Sequence, residues 1–146
     1  MTSFYIEKVD NSNKGIAREW ALCKHYGVER TAHDSVAYDK GSDLVAYGKN
    51  ISVKASRFSL MSGSLCEGLE DFDSIWNLYE SKVHSDTFAY VTEDFRVFEM
   101  DINEFKEFVK AFGRLDRESK KNGGKVKIKC LKESKKMVEW LSMRTA

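Results

Sequence analysis

The sequence predicts a mixed α/β (α+β) fold, a mixed β-sheet flanked by helices. Two observations predict it. Segments with apolar residues at helical spacing are interleaved with segments in which apolar and polar residues alternate. The strand-like segments are neither all sequential nor all separated by helices, the pattern of a mixed sheet. The 146 residues are enough for one domain, 1–146, and too few for two ordinary ones.

The elements follow in order. "SFYIEKV" reads as a short N-terminal strand. Residues 11–27 read as a helix that Asn11, Ser12 or Asn13 can cap and Gly27 can end. Its stripe is Ile16, Trp20 and Cys23 at i, i+4 and i+7, with Ala17 and Ala21 alongside. Residues 28–41 are polar and loop-like. "GSDLVAYGKNISVKAS" then reads as a hairpin opened by Asp43. In its second strand Ile51, Val53 and Ala55 take the core face, and Ser52, Lys54 and Ser56 the polar face. A serine- and glycine-rich connection, 59–71, leads to a helix over 71–83 with Phe72, Ile75, Trp76 and Tyr79 on its apolar side. A hairpin over 87–100 turns at Glu93-Asp94. Asp101 and Glu104 form a D-x-x-E capping box for a helix carrying Phe105, Phe108, Val109 and Phe112. "RLDRESKKNGG" reads as a charged loop. "KVKIKCL" alternates, with Val126, Ile128 and Cys130 inward and Lys125, Lys127 and Lys129 outward. A helix built on Met137, Trp140 and Leu141 closes the chain. Proline is absent, so the boundaries lack their strongest marker.

Composition removes several function classes. A hydrophobic content of 42% and a charged content of 32% suit a soluble protein, and no apolar run approaches the roughly 20 residues of a membrane span. No basic region followed by an apolar core opens the chain, so no signal peptide is read there, and the scattered cysteines point to a reducing, cytoplasmic (intracellular) protein. Cys23, Cys66 and Cys130 are an odd number without a C-x-x-C, against disulfides and against structural zinc. Cys23-Lys24-His25 offers one edge of a metal site, although a buried cysteine is the commoner reason for such a residue. His25, His33 and His84 are scattered. Phosphate-binding glycine loops and the G-x-S-x-G elbow are missing. The net charge of +1 hides an asymmetry: residues 114–146 hold 11 Lys and Arg against 4 Asp and Glu, a local +7 that leaves −6 for the rest. Such a basic segment points to a polyanion, or forms a solubilising face.

The hairpin is where chemistry concentrates. Ser52 and Lys54 share a face, and Asp43 on the antiparallel neighbour can reach it. Phosphodiester hydrolysis needs charge neutralised on the phosphoryl oxygens and a nucleophile made from water. A carboxylate-bound Mg²⁺ does both, and a lysine beside it can orient the water or stabilise the developing charge. Taken singly, each residue has a plainer reading: Asp43 as a turn residue, Lys54 as a solvated strand lysine, Glu67 as a loop carboxylate, Glu19 as a helix-surface charge. Glu19 does border the buried stripe, between Ile16 at i−3 and Cys23 at i+4.

In this order the residues resemble the PD-(D/E)XK, or restriction-endonuclease-like, nuclease superfamily. Its core is a helix, a β-hairpin bearing acidic and lysine residues, and further α and β elements. Asp43 matches the first motif, with Ser42 where the family often has Pro. Ser52-Val53-Lys54 matches the acid-x-Lys motif, with Ser in the acid position. Glu19 matches the glutamate that many members add from the preceding helix. The "NKG…E" of residues 13–19, ahead of "GSD", also resembles the mismatch-repair endonuclease branch. The likeness covers residues 13 to about 56, and later elements fit only in their order. Some restriction endonucleases in the superfamily also read S-x-K and take an acid from a later helix about a dozen residues on. Glu67 stands at that distance, twelve intervening residues after Lys54, with Glu70 a second possibility. Glu19 and Glu67 thus compete for one task.

The resemblance implies a DNA endonuclease or Holliday-junction resolvase dependent on Mg²⁺ (or Mn²⁺). Asp43, the carbonyl of Val53, and Glu19 or Glu67 would hold the metal, and Asp43, Lys54 and Glu19 would be catalytic. It admits a homodimer, because two strands need cutting. Lys125, Lys127 and Lys129, with Arg57 and Lys49, are the expected nucleic-acid contacts, tracking phosphates without reading bases. Alternatively the three lysines protect an edge strand from pairing. Ser52 favours the other function: a non-catalytic DNA-binding or inhibitor protein on a decayed nuclease scaffold.

Overall fold

Asn13 sets where the first helix begins. Its side chain accepts a hydrogen bond from Ile16 N at 3.1 Å, so α1 runs Lys14–Tyr26. The helix stops at Gly27, whose φ of 67° is left-handed and lets its N–H return to the last turn. The computed structural model describes residues 1–31, 42–61, 66, 68–119, 121 and 124–145. Among them it has four helices and eight strands. Besides α1, these are β1 (Thr2–Tyr5), β2 (Leu44–Ala46), β3 (Lys49–Ala55), β4 (Phe58–Leu60), α2 (Phe72–Lys82), β5 (Thr87–Val91), β6 (Arg96–Met100), α3 (Ile102–Phe112), β7 (Gly113–Arg117), β8 (Val126–Cys130) and α4 (Lys135–Met143). None of the described helices is long and apolar enough to cross a membrane.

The strands form two sheets. A five-stranded mixed sheet has the order β1-β6-β5-β3-β2, antiparallel throughout except where β3 and β5 run parallel. A three-stranded antiparallel sheet has the order β4-β8-β7. The mixed α+β fold that the patterning predicts is therefore the one observed.

Both faces of the large sheet are covered. On one, Phe88, Tyr90, Phe98 and Met100 meet Trp76 of α2, Phe105 and Phe108 of α3, Met137 and Leu141 of α4, and Val126, Ile128 and Cys130 of β8. On the other, Ala89, Val91, Val97, Ile51, Leu44 and Ala46 meet Ala17, Ala21, Leu22 and Cys23 of α1. β5 and β6 serve both clusters, which is why β5 runs almost continuously apolar and β6 buries the adjacent Val97 and Phe98. The capping box of α3 is present, with both the Asp101 and Glu104 side chains bonded to backbone N–H groups.

Five expectations are corrected. Trp20 is 43% exposed and lies off the stripe of α1, which buries Ala17, Arg18, Ala21, Leu22 and Cys23. A helix packed close to a sheet selects small side chains at the contact. Arg18 is buried because its nitrogens find carbonyls, Lys14 O at 2.9 Å and Thr92 O at 3.4 Å, and its guanidinium lies over the Phe95 ring. The Ser52/Lys54 face of β3 is not wet: it looks toward the ring cluster, with Phe88 and Tyr90 as the parallel partners, and Ser52 is 1% exposed. Residues 113–117 form a strand and not a loop, paired along its length with β8. β8 is consequently the middle strand of its sheet, so its lysines guard no edge. Phe58–Leu60, read as part of a connection, also pairs with β8.

α3 passes into β7 without a connecting residue. Gly113 makes this possible: a Cβ there would sit 2.4 Å from Val109 O and 2.9 Å from Ile128 Cγ2.

Candidate active site

β2 begins one residue after Asp43, and the hairpin holds that residue from three sides. Asp43 N donates to Ile51 O at 2.8 Å, and Asp43 O accepts from Thr31 N at 2.9 Å. Its carboxylate Oδ2 accepts from Val53 N at 2.7 Å. The side chain therefore caps the N–H that β2 is too short to pair. In an extended strand the N–H and C=O of one residue point to the same edge, so the Val53 carbonyl also faces the Asp43 side. Ser42, buried beside it, donates from Oγ to Leu44 O at 3.1 Å.

α1 brings Glu19 to this edge. Its carboxylate Oε2 is 2.9 Å from Arg30 Nε, and Arg30 forms an antiparallel bridge to Leu44, the residue after Asp43. Burial raises the pKa of Glu19, and the negative charge of Asp43 raises it further against the opposing pull of Arg30 and Lys54. The thiol of Cys23, one turn along α1, is pushed up to about 11 by burial and then by Glu19.

Lys54 completes the group from β3. It is half-buried by surface area yet ringed by protein, with Nζ 5.9 Å from the centre of the Phe58 ring. Burial lowers its pKa, while Asp43, Cys130 and Glu19 pull the other way. The Cys130 thiol is pushed up to about 12 by burial despite the lysine beside it. Tyr79 of α2 is raised by burial and by the Asp43 charge, so this phenol also lies near the carboxylate. Asp43, Glu19 and Lys54 thus sit within electrostatic reach of one another, with two carboxylates, a carbonyl and a cation at the open end of one hairpin. Among the described residues no group of three or more His, Cys, Asp and Glu comes together as a metal cluster.

Other expected residues are not gathered here. Glu67 and His33 lie outside the described residues. Glu70 is bound to Arg117, at 3.0 Å. Lys49 stands at the opposite end of β3 from Lys54, beside a pocket it shares with Asp86, Glu99, Asp101 and Glu104. In the Cys23-Lys24-His25 run Cys23 is buried, while Lys24 and His25 are exposed and His25 stacks on Phe4. Lys125, Lys127 and Lys129 lie along β8, and Arg57 lies just before β4. Sequence reasoning missed Arg30 and Tyr79. Arg30 sat in a polar stretch with no spacing signal, and Tyr79 read as core because its ring is core.

No protein-family description, curated protein or solved structure matches this chain, so the site stands on its own residues.

Proposed function

We propose that the chain is a metal-dependent DNA endonuclease or Holliday-junction resolvase, acting inside the cell at the Asp43 end of its hairpin. The observation that supports this reading is the meeting of Asp43 and Glu19 with Lys54, on the elements the resemblance to PD-(D/E)XK nucleases names. Asp43, Glu19 and the Val53 carbonyl are hard oxygen donors, the kind that suits Mg²⁺ or Mn²⁺. The charge of Asp43 raises the proton affinity of Glu19, a repulsion that a divalent cation between them would relieve. When bound, such an ion lowers the pKa of water and neutralises phosphoryl charge.

The chain's own residues do the rest. The bond from Val53 N to Asp43 fixes that carboxylate before any ligand arrives. Arg30 holds Glu19 toward the same edge. Lys54 donates to a phosphoryl oxygen or to the attacking water, and the burial that lowers its pKa also strengthens that contact by lowering the local dielectric. Two strands need cutting, so a homodimer is the proposed working form.

Asp43→Ala is the test. It is expected to bring Mg²⁺-dependent cleavage of plasmid and four-way-junction DNA below detection while far-UV circular dichroism stays unchanged. Cleavage at the wild-type rate would refute the assignment. A second reading, a non-catalytic DNA-binding or inhibitor protein on a decayed nuclease scaffold, draws on Arg30, because a cation already neutralises Glu19. Under that reading calorimetric titration with Mn²⁺ gives no heat that depends on Asp43.

A further inference from the structure

The small sheet sets two cations directly opposite each other. Arg114 of β7 and Lys129 of β8 are cross-strand partners, and the other neighbour of Lys129 is the neutral Ser59 of β4. Like charges so placed repel and weaken the pairing. One pair along the same face the pattern differs, since Asp116 stands opposite Lys127. Arg57 just before β4 and Lys132 just after β8 add to the uncompensated end. Arg57, Arg114, Lys129 and Lys132, with Cys130 and Leu131, line one pocket of about 290 Å³.

Among the described residues no acidic side chain lines that pocket. None of its four cations has an ion pair among the described residues. Glu133, the acid next to Lys132, is committed elsewhere, with Oε2 accepting from Glu93 N at 2.8 Å. Four positive charges concentrated in one concavity, two of them in strand register, make a site that a polyanion relieves. Two of the four are arginines, whose planar donor forks match a phosphate.

We infer that this pocket seats a backbone phosphate of the nucleic acid, an inference that rests on the endonuclease reading for its partner. Arg114 and Lys132 complete the seat around Lys129 and Arg57. Lys127, facing Asp116, and Lys125, at the other end of β8, stand outside it. The seat is tied to the proposed reaction centre by a short stretch of chain. Arg57 follows Lys54 by three residues, so their Cα atoms are at most about 11 Å apart. That distance is the axial rise of about three nucleotides. Leu131, exposed at the rim, offers an apolar contact to sugar or base.

The test measures binding of a labelled duplex by fluorescence anisotropy over a series of KCl concentrations, without divalent metal. Arg114→Gln/Lys132→Gln is expected to flatten the dependence of log K on log salt by up to about 1.8, at about 0.9 for each phosphate no longer neutralised. Lys82→Gln/Lys110→Gln, which removes the same charge from two helix ends, is expected to leave the slope as in the wild type. If the first double variant loses its folded circular dichroism, Lys132→Gln alone, in an exposed connection, is expected to flatten the slope by up to about 0.9. An unchanged slope overturns the inference, and so does equal flattening by both double variants. Wild-type cleavage with Mg²⁺ separates the two claims. Cleavage with a slope that ignores Arg114 and Lys132 removes the pocket and leaves the nuclease. Pocket-dependent binding without cleavage does the reverse.

Discussion

The two faces of the five-stranded sheet are packed by different kinds of side chain. One is filled by rings: Phe105 stacks on Phe88 at 4.3 Å and touches Phe58, Trp76, Tyr79 and Phe108. The other is mostly aliphatic and holds four alanines, Ala17 and Ala21 of α1 with Ala46 and Ala89 of the sheet, among Leu22, Leu44, Ile51, Val91 and Val97, with Phe95 as its one buried ring among the described residues. Each buried ring removes far more apolar surface from water than a methyl does, at about 25 cal/mol per Å². The ring face therefore carries most of the hydrophobic stabilisation. The alanine face contributes less area but lets the α1 backbone approach, and that approach brings Glu19 to the edge where Asp43 sits. Most of the hydrophobic stabilisation thus lies on one side of the sheet, while the position of Glu19 is set from the other.

Substitutions that separate the two roles test this division. Phe105→Ala is expected to have the largest effect, a loss of about 3–5 kcal/mol in urea unfolding, because the ring is fully buried. The fraction that stays folded should bind Mn²⁺ as the wild type does. Ala21→Leu is expected to cost about 1–3 kcal/mol by overpacking. It should also weaken Mn²⁺ binding in calorimetry, since it pushes α1 away from the hairpin. Equal effects of both substitutions on metal binding would break the comparison. Asn13→Ala removes the cap of α1 at about 1 kcal/mol, and the midpoint of urea unfolding should fall without a change in slope.

The smallest effect runs the other way. Lys54 sits on the ring face with its pKa held below the ordinary 10.5 by burial. Below 10.5 the unfolded chain binds a proton that the folded chain holds less tightly, so stability falls as pH drops from 10.5 to the folded value. Lys54→Met removes that loss. It is expected to raise the melting temperature at neutral pH, with the gain shrinking as pH rises toward 10.5, while abolishing the proposed cleavage. A gain independent of pH would mean that packing, not charge, sets the effect.

Much of the fold is legible locally. The capping box at Asp101, the phenylalanine spacing of α3 and the alternation of residues 126–130 are short-range signals, and the structure repeats them. Signals that depend on distant partners are not legible. Residues 113–117 hold three charges and one large apolar residue, and they are a strand only because β8 pairs with them. Trp20 attracted the stripe of α1 to itself because it is large, whereas close approach to a sheet favours alanine. Strand alternation correctly separated Ile51 and Val53 from Ser52 and Lys54, but it carries no information on what covers the second face. In the candidate site, Asp43 and Lys54 are legible through the hairpin that holds them both. Arg30 depends on a bridge to Leu44 that no spacing rule reveals.

β1 pairs with β6 in a register that matches Thr2 with Glu99. During synthesis β1 is thus made well before the strand that it pairs with. At about 5–20 residues per second, its partner follows roughly 5–20 s later. Until then the backbone groups of β1 are satisfied by water.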